Sequence, residues 1–256
     1  MILRVLILAR FGFLELLRSR IYLNVLAAGV ALVLAALAFE ELSASQGGRV
    51  LADVGLAFIS LVVAALAGIV PLTTVAREIE TRQVHILVAR PIGRGEYVAG
   101  RYLAAALLVL VSNLVLGGLL AGLLFATTGS PQVGQVFFAA VFCSFEGFIV
   151  AALAMVFGVS SSTAMSAVFL TATFVLGRLT DALRDVVATK LSEPLASVVG
   201  ASTWVLPWLP LFDLTRTLHG ELLTATWLLQ AVAYAVVYVV ALLFVASWRL
   251  RRRDLL

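Results

Sequence analysis

Charge is what this 256-residue sequence has least of: charged residues make up 12%, hydrophobic residues 62%, and mean hydropathy is +1.11. A soluble domain carries about 25% charged residues, so that class is excluded. The single cysteine, Cys143, sits within an apolar run, which rules out a disulfide framework or a multi-cysteine metal site. No G-x-x-x-x-G-K-[ST] stretch occurs, so the chain does not bind ATP in the P-loop manner. The N-terminal region carries Arg4, Arg10, Arg18 and Arg20 and lacks a small-residue cleavage site, unlike a cleavable signal peptide.

What is present is a series of continuous apolar runs. Runs of about 18 or more residues read as membrane spans, and their continuity argues against a β-barrel, whose strands alternate. The fold class expected is an all-α membrane protein, one domain over residues 1–256 with six transmembrane helices at about 21–39, 54–76, 102–126, 133–157, 164–177 and 227–248. The fifth is short for a span. Residues 1–20 read as an amphipathic interfacial helix or as an extension of the first span. Leu3, Ile7, Leu14 and Leu17 share one face and Arg4, Glu15 and Arg18 another, with Arg10 snorkelling from the apolar side. Glu40, Glu41, Gln46, Gly47, Gly48 and Asp53 suggest a polar loop after the first span, and Thr127–Gln132 and Gly158–Thr163 suggest tight turns. Gly118-x-x-x-Gly122 permits close helix contact, within the protomer or at a dimer seam. The segment 178–226 is too broken by Pro207 and Pro210 to span; a short helix over Asp181–Leu191 and re-entrant or interfacial pieces near Trp204 and Trp208 are expected on the outer side.

Arginine placement orients the chain. Four basic residues before the first span, five between the second and third, and four at the C-terminus fall on one side. Arg49, Arg178, Arg184, Lys190 and Arg216 fall on the other, with eight of the 14 acids. The positive-inside rule then puts both termini in the cytoplasm of a cell in whose (inner) membrane the chain is multi-pass. Basic residues at span ends, rather than on one long face, argue against a nucleic-acid partner and for contact with membrane lipid. His85 and His219 lie on opposite sides in this topology, so no metal site joins them.

The polar stretch 77–101 interrupts the second and third spans. Val84, Leu87 and Val88 fall at helical spacing before Pro91, which forces Arg90 out of helical geometry. Gly93 and Gly95 allow a reversal, and Glu96 suits the first turn of the returning helix. The expected result is a rigid, charged helix–turn–helix elbow at the cytoplasmic face. Its bland alternative is a simple chain reversal anchored to anionic lipid.

Glu78, Ile86-Leu87, Ala89-Arg90-Pro91-Ile92-Gly93-Arg94, Tyr97 and Gly100-Arg101 resemble the cytoplasmic motif of type-two ATP-binding-cassette (ABC) permeases. Arg82-Gln83 stand where that motif has Gly-Thr, Gly93 replaces Ser and Arg101 replaces Lys. Leu209-Pro210-Leu211-Phe212-Asp213 is similar to a segment of the subgroup containing nitrous-oxide-reductase maturation and gliding-motility permeases, with Leu211 in place of Asn. The resemblance implies a permease, an exporter by analogy, that pairs with a second permease subunit as a homodimer or with a related chain. It also implies cytoplasmic ABC ATPase subunits that carry ATP and Mg, this chain holding no cofactor, and it assigns Glu78, Arg82, Arg90, Pro91, Arg94 and Arg101 to ATPase coupling.

Glu146 is the one acid inside a span, near the middle of the fourth, where a charge costs on the order of 3 kcal/mol. It is a substrate-path or helix-bridging residue, or a protonated carboxyl bonded to a neighbouring helix. The competing class is an ATP-independent membrane protein, either a proton-coupled carrier using Glu146 or a structural anchor. A carrier is expected to show inverted repeats, and none is evident. The cytoplasmic loops offer no nucleophile–base pair, so the chain does not read as an enzyme. A substrate-path role predicts that Glu146→Gln impairs transport or assembly; a variant that leaves both unchanged would remove Glu146 from the path.

Overall fold

The computed structural model describes residues 2–42, 47–80, 93–129, 132–190, 206–215 and 224–252, and no strand occurs among them. Helix α1 (Ile2–Leu17) precedes α2 (Arg20–Leu42). The break between them is a cap: Ser19 Oγ accepts the Tyr22 N–H at 3.2 Å, meeting one donor left unpaired at the helix start. Helix α3 (Gly47–Glu80) and α4 (Arg94–Thr128) follow, then α5 (Val133–Phe142) and α6 (Ser144–Ser160). Helices α7 (Thr163–Arg178) and α8 (Thr180–Lys190), a 3₁₀ turn at Leu209–Phe212, and α9 (Ala225–Arg252) complete the order.

Several helices outrun the expected spans. Glu40 and Glu41 lie in α2, and Gly47, Gly48 and Asp53 in α3, so the polar loop expected there is mostly helix. Apolar composition marks only the part of a helix that avoids water; backbone hydrogen bonding continues through polar residues beyond it. The fourth run is divided at Cys143, whose N–H still bonds Ala139 O at 3.0 Å. The turns fall where polar composition put them. Gly129 ends α4 in the left-handed region (φ 58°), which a glycine enters without strain. Ser161 and Ser162 alone separate α6 from α7, and Ser166 Oγ bonds back to Phe157 O at 2.7 Å.

Among the described residues five helical stretches are long and apolar enough to cross a membrane, α5 and α6 counting as one. Helix α7, with 16 residues, is about 24 Å long against a hydrocarbon layer of about 30 Å. Exposed Leu23, Leu34, Met165, Val168, Val237 and Phe244 give the bundle an apolar outer wall. The protein is a multi-pass membrane protein.

Helix α3 is the hub, packed on α2, α4 and α6. Close approach there depends on Gly147, where a β-carbon would stand 2.7 Å from Val109 Cγ1 and 2.8 Å from Val63 Cγ1. On α4 it is Gly117 that meets α5, with a β-carbon falling 2.7 Å from that of Ala140. Gly118 and Gly122 face the other way, with nothing within 4 Å of a β-carbon at either. Substituting Gly147→Val, which wedges two stiff branched side chains apart, should destabilise the protomer by about 1–3 kcal/mol. Gly118→Leu should stay within about 0.5 kcal/mol of the parent. Thermal unfolding of the two purified variants checks the contrast.

Candidate functional site

Two polar networks interrupt the apolar bundle. The first gathers where α3 ends and α4 begins. Helix α4 starts at Gly93, whose N–H donates to Glu96 Oε2 at 3.0 Å while its carbonyl accepts from Tyr97 N at 3.1 Å. One turn on, the Tyr97 hydroxyl donates to Glu78 Oε2, and the Arg101 guanidinium grips the same carboxylate through Nε at 3.2 Å and through a second nitrogen. The remaining Arg101 nitrogen reaches Glu15 Oε2 of α1 at 2.8 Å. Glu78 is buried, so its charge is tolerable only because these donors surround it. Small residues let the three helices meet: Gly100 faces Leu8, and Gly12 faces Arg101 and Ala104. Arg94 ties in the last helix, donating to Leu250 O at 3.0 Å and Arg251 O at 2.8 Å. These carbonyls end α9, where a cation is favourable.

Of the residues expected to couple to an ATPase, Glu78, Arg94 and Arg101 therefore converge on this knot. Arg82, Arg90 and Pro91, and with them His85, lie outside the described residues. Glu15 belongs to the knot without having been singled out. Its sequence signal is faint, an acid on the polar face of an N-terminal helix.

The second network surrounds Glu146, 1% exposed in the first turn of α6. Arg178, the last residue of α7, meets it as a fork: Nε to Oε1 and Nη2 to Oε2, each 2.8 Å. Two parallel charge-assisted bonds fix both partners in orientation. Ser60 of α3 closes the triangle, donating to Glu146 Oε2 at 3.3 Å and accepting from Arg178 Nη2. Cys143 Sγ lies 3.6 Å from the same carboxylate oxygen, and Arg178 Nη1 stands 3.8 Å from Asp213 Oδ2. One helix pair away, Asn113 Nδ2 donates to Ser144 Oγ at 2.8 Å.

Glu146 thus bridges α3, α6 and α7, and its partner is a guanidinium that the sequence had assigned to the outer segment. The hairpin at Ser161–Ser162 explains the meeting. Counting back along α6 and forward along α7 from it brings Glu146 and Arg178 to one level. Above Arg178 the space is taken by the 206–215 segment. Leu209 and Phe212 are buried there, Phe212 among the rings of Phe142, Phe145 and Tyr234. Trp208 anchors it, its indole N–H donating to Asp181 at 2.7 Å and its backbone N–H to the Tyr234 hydroxyl at 2.9 Å.

Beside the ion pair lies a cavity of about 690 Å³, walled by α3, α5–α7 and residues 212–215. Ser60, Cys143, Glu146, Arg178 and Asp213 contribute its polar surface. Among the described residues no group of three or more His, Cys, Asp or Glu is placed to hold a metal ion.

Residues 2–255, nearly the whole chain, match the sequence profile of the family described as "ABC-2 family transporter protein". No curated protein matches the chain.

Removing one member of a buried pair strands the other. Arg178→Met should therefore destabilise the protein by about 3–5 kcal/mol, and adding Glu146→Gln should recover a large part of that loss. Unfolding free energies of the two single variants and the double variant, taken as a cycle, measure the coupling.

Proposed function

This chain belongs to the ABC-2 family of transporter proteins, and from that premise we propose that it is the membrane half of an ATP-driven exporter. An ABC transporter permease of this family is a membrane component without its own ATPase, and membership implies association with ABC ATPase subunits. In the proposed assembly two such subunits, carrying ATP and Mg, dock on the 77–101 elbow at the cytoplasmic face of the inner membrane, the side on which both termini lie. A second permease, identical or related, completes the substrate path. The open face of α4 at Gly118 and Gly122 is the proposed seam.

The observation that carries this reading is the knot of Glu15, Glu78, Tyr97 and Arg101. It joins both helices that flank the elbow, together with α1, so a push on the elbow is delivered to three helices at once. Continuous α3 then runs from Glu78 to Ser60, about 27 Å, and so links the knot to the cavity. A floppy attachment would dissipate that motion; a buried, fully bonded carboxylate resists it. The cavity beside Glu146 is the proposed path. A proton-coupled carrier is less well supported, because both Glu146 oxygens are held by Arg178.

Co-expression with ABC ATPase subunits and purification of the complex tests the reading. The chain should retain an ATPase, Arg90→Ala/Arg94→Ala should weaken its capture, and Glu78→Ala should change ATP turnover in the complexes that form. If no ATPase subunit is retained and the variants behave as the parent does, the elbow is only a turn.

A further inference from the structure

The permease reading leaves open what the cavity accepts. We propose that it binds an amphipathic organic cation, whose positive group meets Asp213 and whose apolar body lies against the rings and aliphatic side chains of the wall. Among the described residues the lining holds three carboxylates, those of Asp53, Glu146 and Asp213, against the single guanidinium of Arg178. That guanidinium is committed: two of its nitrogens fork onto Glu146 at 2.8 Å each, and the third faces Asp213 at 3.8 Å. Among the described lining residues an entering anion finds no uncommitted cation and meets carboxylates instead.

The accessible carboxylate is Asp213. Its side chain is 45% exposed, whereas that of Glu146 is 1% exposed. Its Oδ1 accepts the Thr215 N–H at 3.1 Å and the Thr215 hydroxyl, which fixes the carboxylate's orientation, while Oδ2 faces Arg178 Nη1 at 3.8 Å, beyond hydrogen-bond distance. The rest of the lining is mostly apolar, with Phe58 offering ring surface that attracts a cation as well as hydrocarbon, while the Phe174 ring already has the Arg178 guanidinium 6.0 Å from its centroid. On α3 the rim is formed by exposed apolar residues, Leu61 being 55% exposed. A ligand dissolved in lipid crosses such a rim more readily than a hydrated ion does. The volume falls within the range of about 300–1,000 Å³ typical of sites for drug-sized molecules and far exceeds what a bare metal cation fills.

The proposal rests on the permease reading only for transport of the bound cation, and binding itself is measured without an ATPase. The full chain in nanodiscs of zwitterionic lipid is titrated with tetraphenylphosphonium and with tetraphenylborate, ions of like shape and opposite charge, with empty nanodiscs subtracted. Saturable binding of the phosphonium is expected, at least about tenfold tighter than that of the borate, a factor worth about 1.4 kcal/mol. Asp213→Asn should weaken phosphonium binding by about tenfold, and Leu61→Trp, which narrows the rim without altering charge, should weaken both ions. Equal affinity for the two ions, no saturable binding, or two folded variants that bind like the parent would overturn the proposal. Saturable, charge-selective binding by a chain that retains no ATPase would sink the motor reading and leave this one standing. An active ATPase complex without charge-selective binding would do the reverse.

Discussion

A carboxylate buried among apolar helices must be met by a positive group, and in this protein that requirement sets the depth of a helix. Glu146 sits in the first turn of α6, and Arg178 is the last residue of α7. The forked contact between them places the end of α7 at the level of the carboxylate rather than at the end of the bundle. The helix is short because it stops where the pair forms. The space beyond is filled by the 3₁₀ turn at Leu209–Phe212, where Pro210, with Pro207 just before the turn, precludes a continued helix interior. The cavity is the gap left where these pieces meet α3.

The knot at Glu78 obeys the same rule with a different result. There, too, a buried carboxylate collects donors, but both come from a neighbouring helix start, Tyr97 and Arg101 of α4, and Glu15 of the peripheral α1 accepts from the same Arg101. A small apolar cluster of Val75, Tyr97, Val98, Met155, Val159, Ala246 and Leu250 backs it and adds α6 and α9. The pair at Glu146 closes a seam between helices; the knot at Glu78 binds the helices on either side of residues 81–92. The two networks share α3, which runs as one helix between them with Pro71 inside it.

Composition made the helical, membrane-crossing class legible, and local chemistry made several details so. The short helix expected over Asp181–Leu191 occurs as α8, Thr180–Lys190, and Glu96 stands in the first turn of α4. Glu146 could be singled out because an acid inside an apolar run is conspicuous. Its partner could not: arginine counting assigns Arg178 to a segment by its neighbours, whereas the pairing depends on how far two antiparallel helices run from their hairpin. The interruption at Cys143 carries no proline or glycine to announce it. Gly117 and Gly118 differ by one position, about 100° around a helix, and only packing reveals which of them touches α5. The middle of the elbow, with Arg82, Arg90 and Pro91, lies outside the described residues, while its two ends are held at Glu78 and Arg94.

The strengths of these contacts order the seams around the cavity. Parting α6 from α7 breaks the fork and leaves a buried charge, at about 3–5 kcal/mol. Parting α3 from α6 exposes the most extensive helix contact in the bundle, including the approach at Gly147. Parting α3 from α7 is different. Their packing is thin, and the polar link between them is Ser60 with Arg178, a hydrogen bond to a charged group worth about 1.5–3 kcal/mol. Of these three seams the one between α3 and α7 is therefore held most weakly. It is also the wall that bears the apolar rim at Leu61, and one side of it is the helix that carries Glu78 at its other end. In the proposed assembly a displacement arriving through the knot reaches the cavity at the α3–α7 seam, while the ion pair keeps α6 and α7 together.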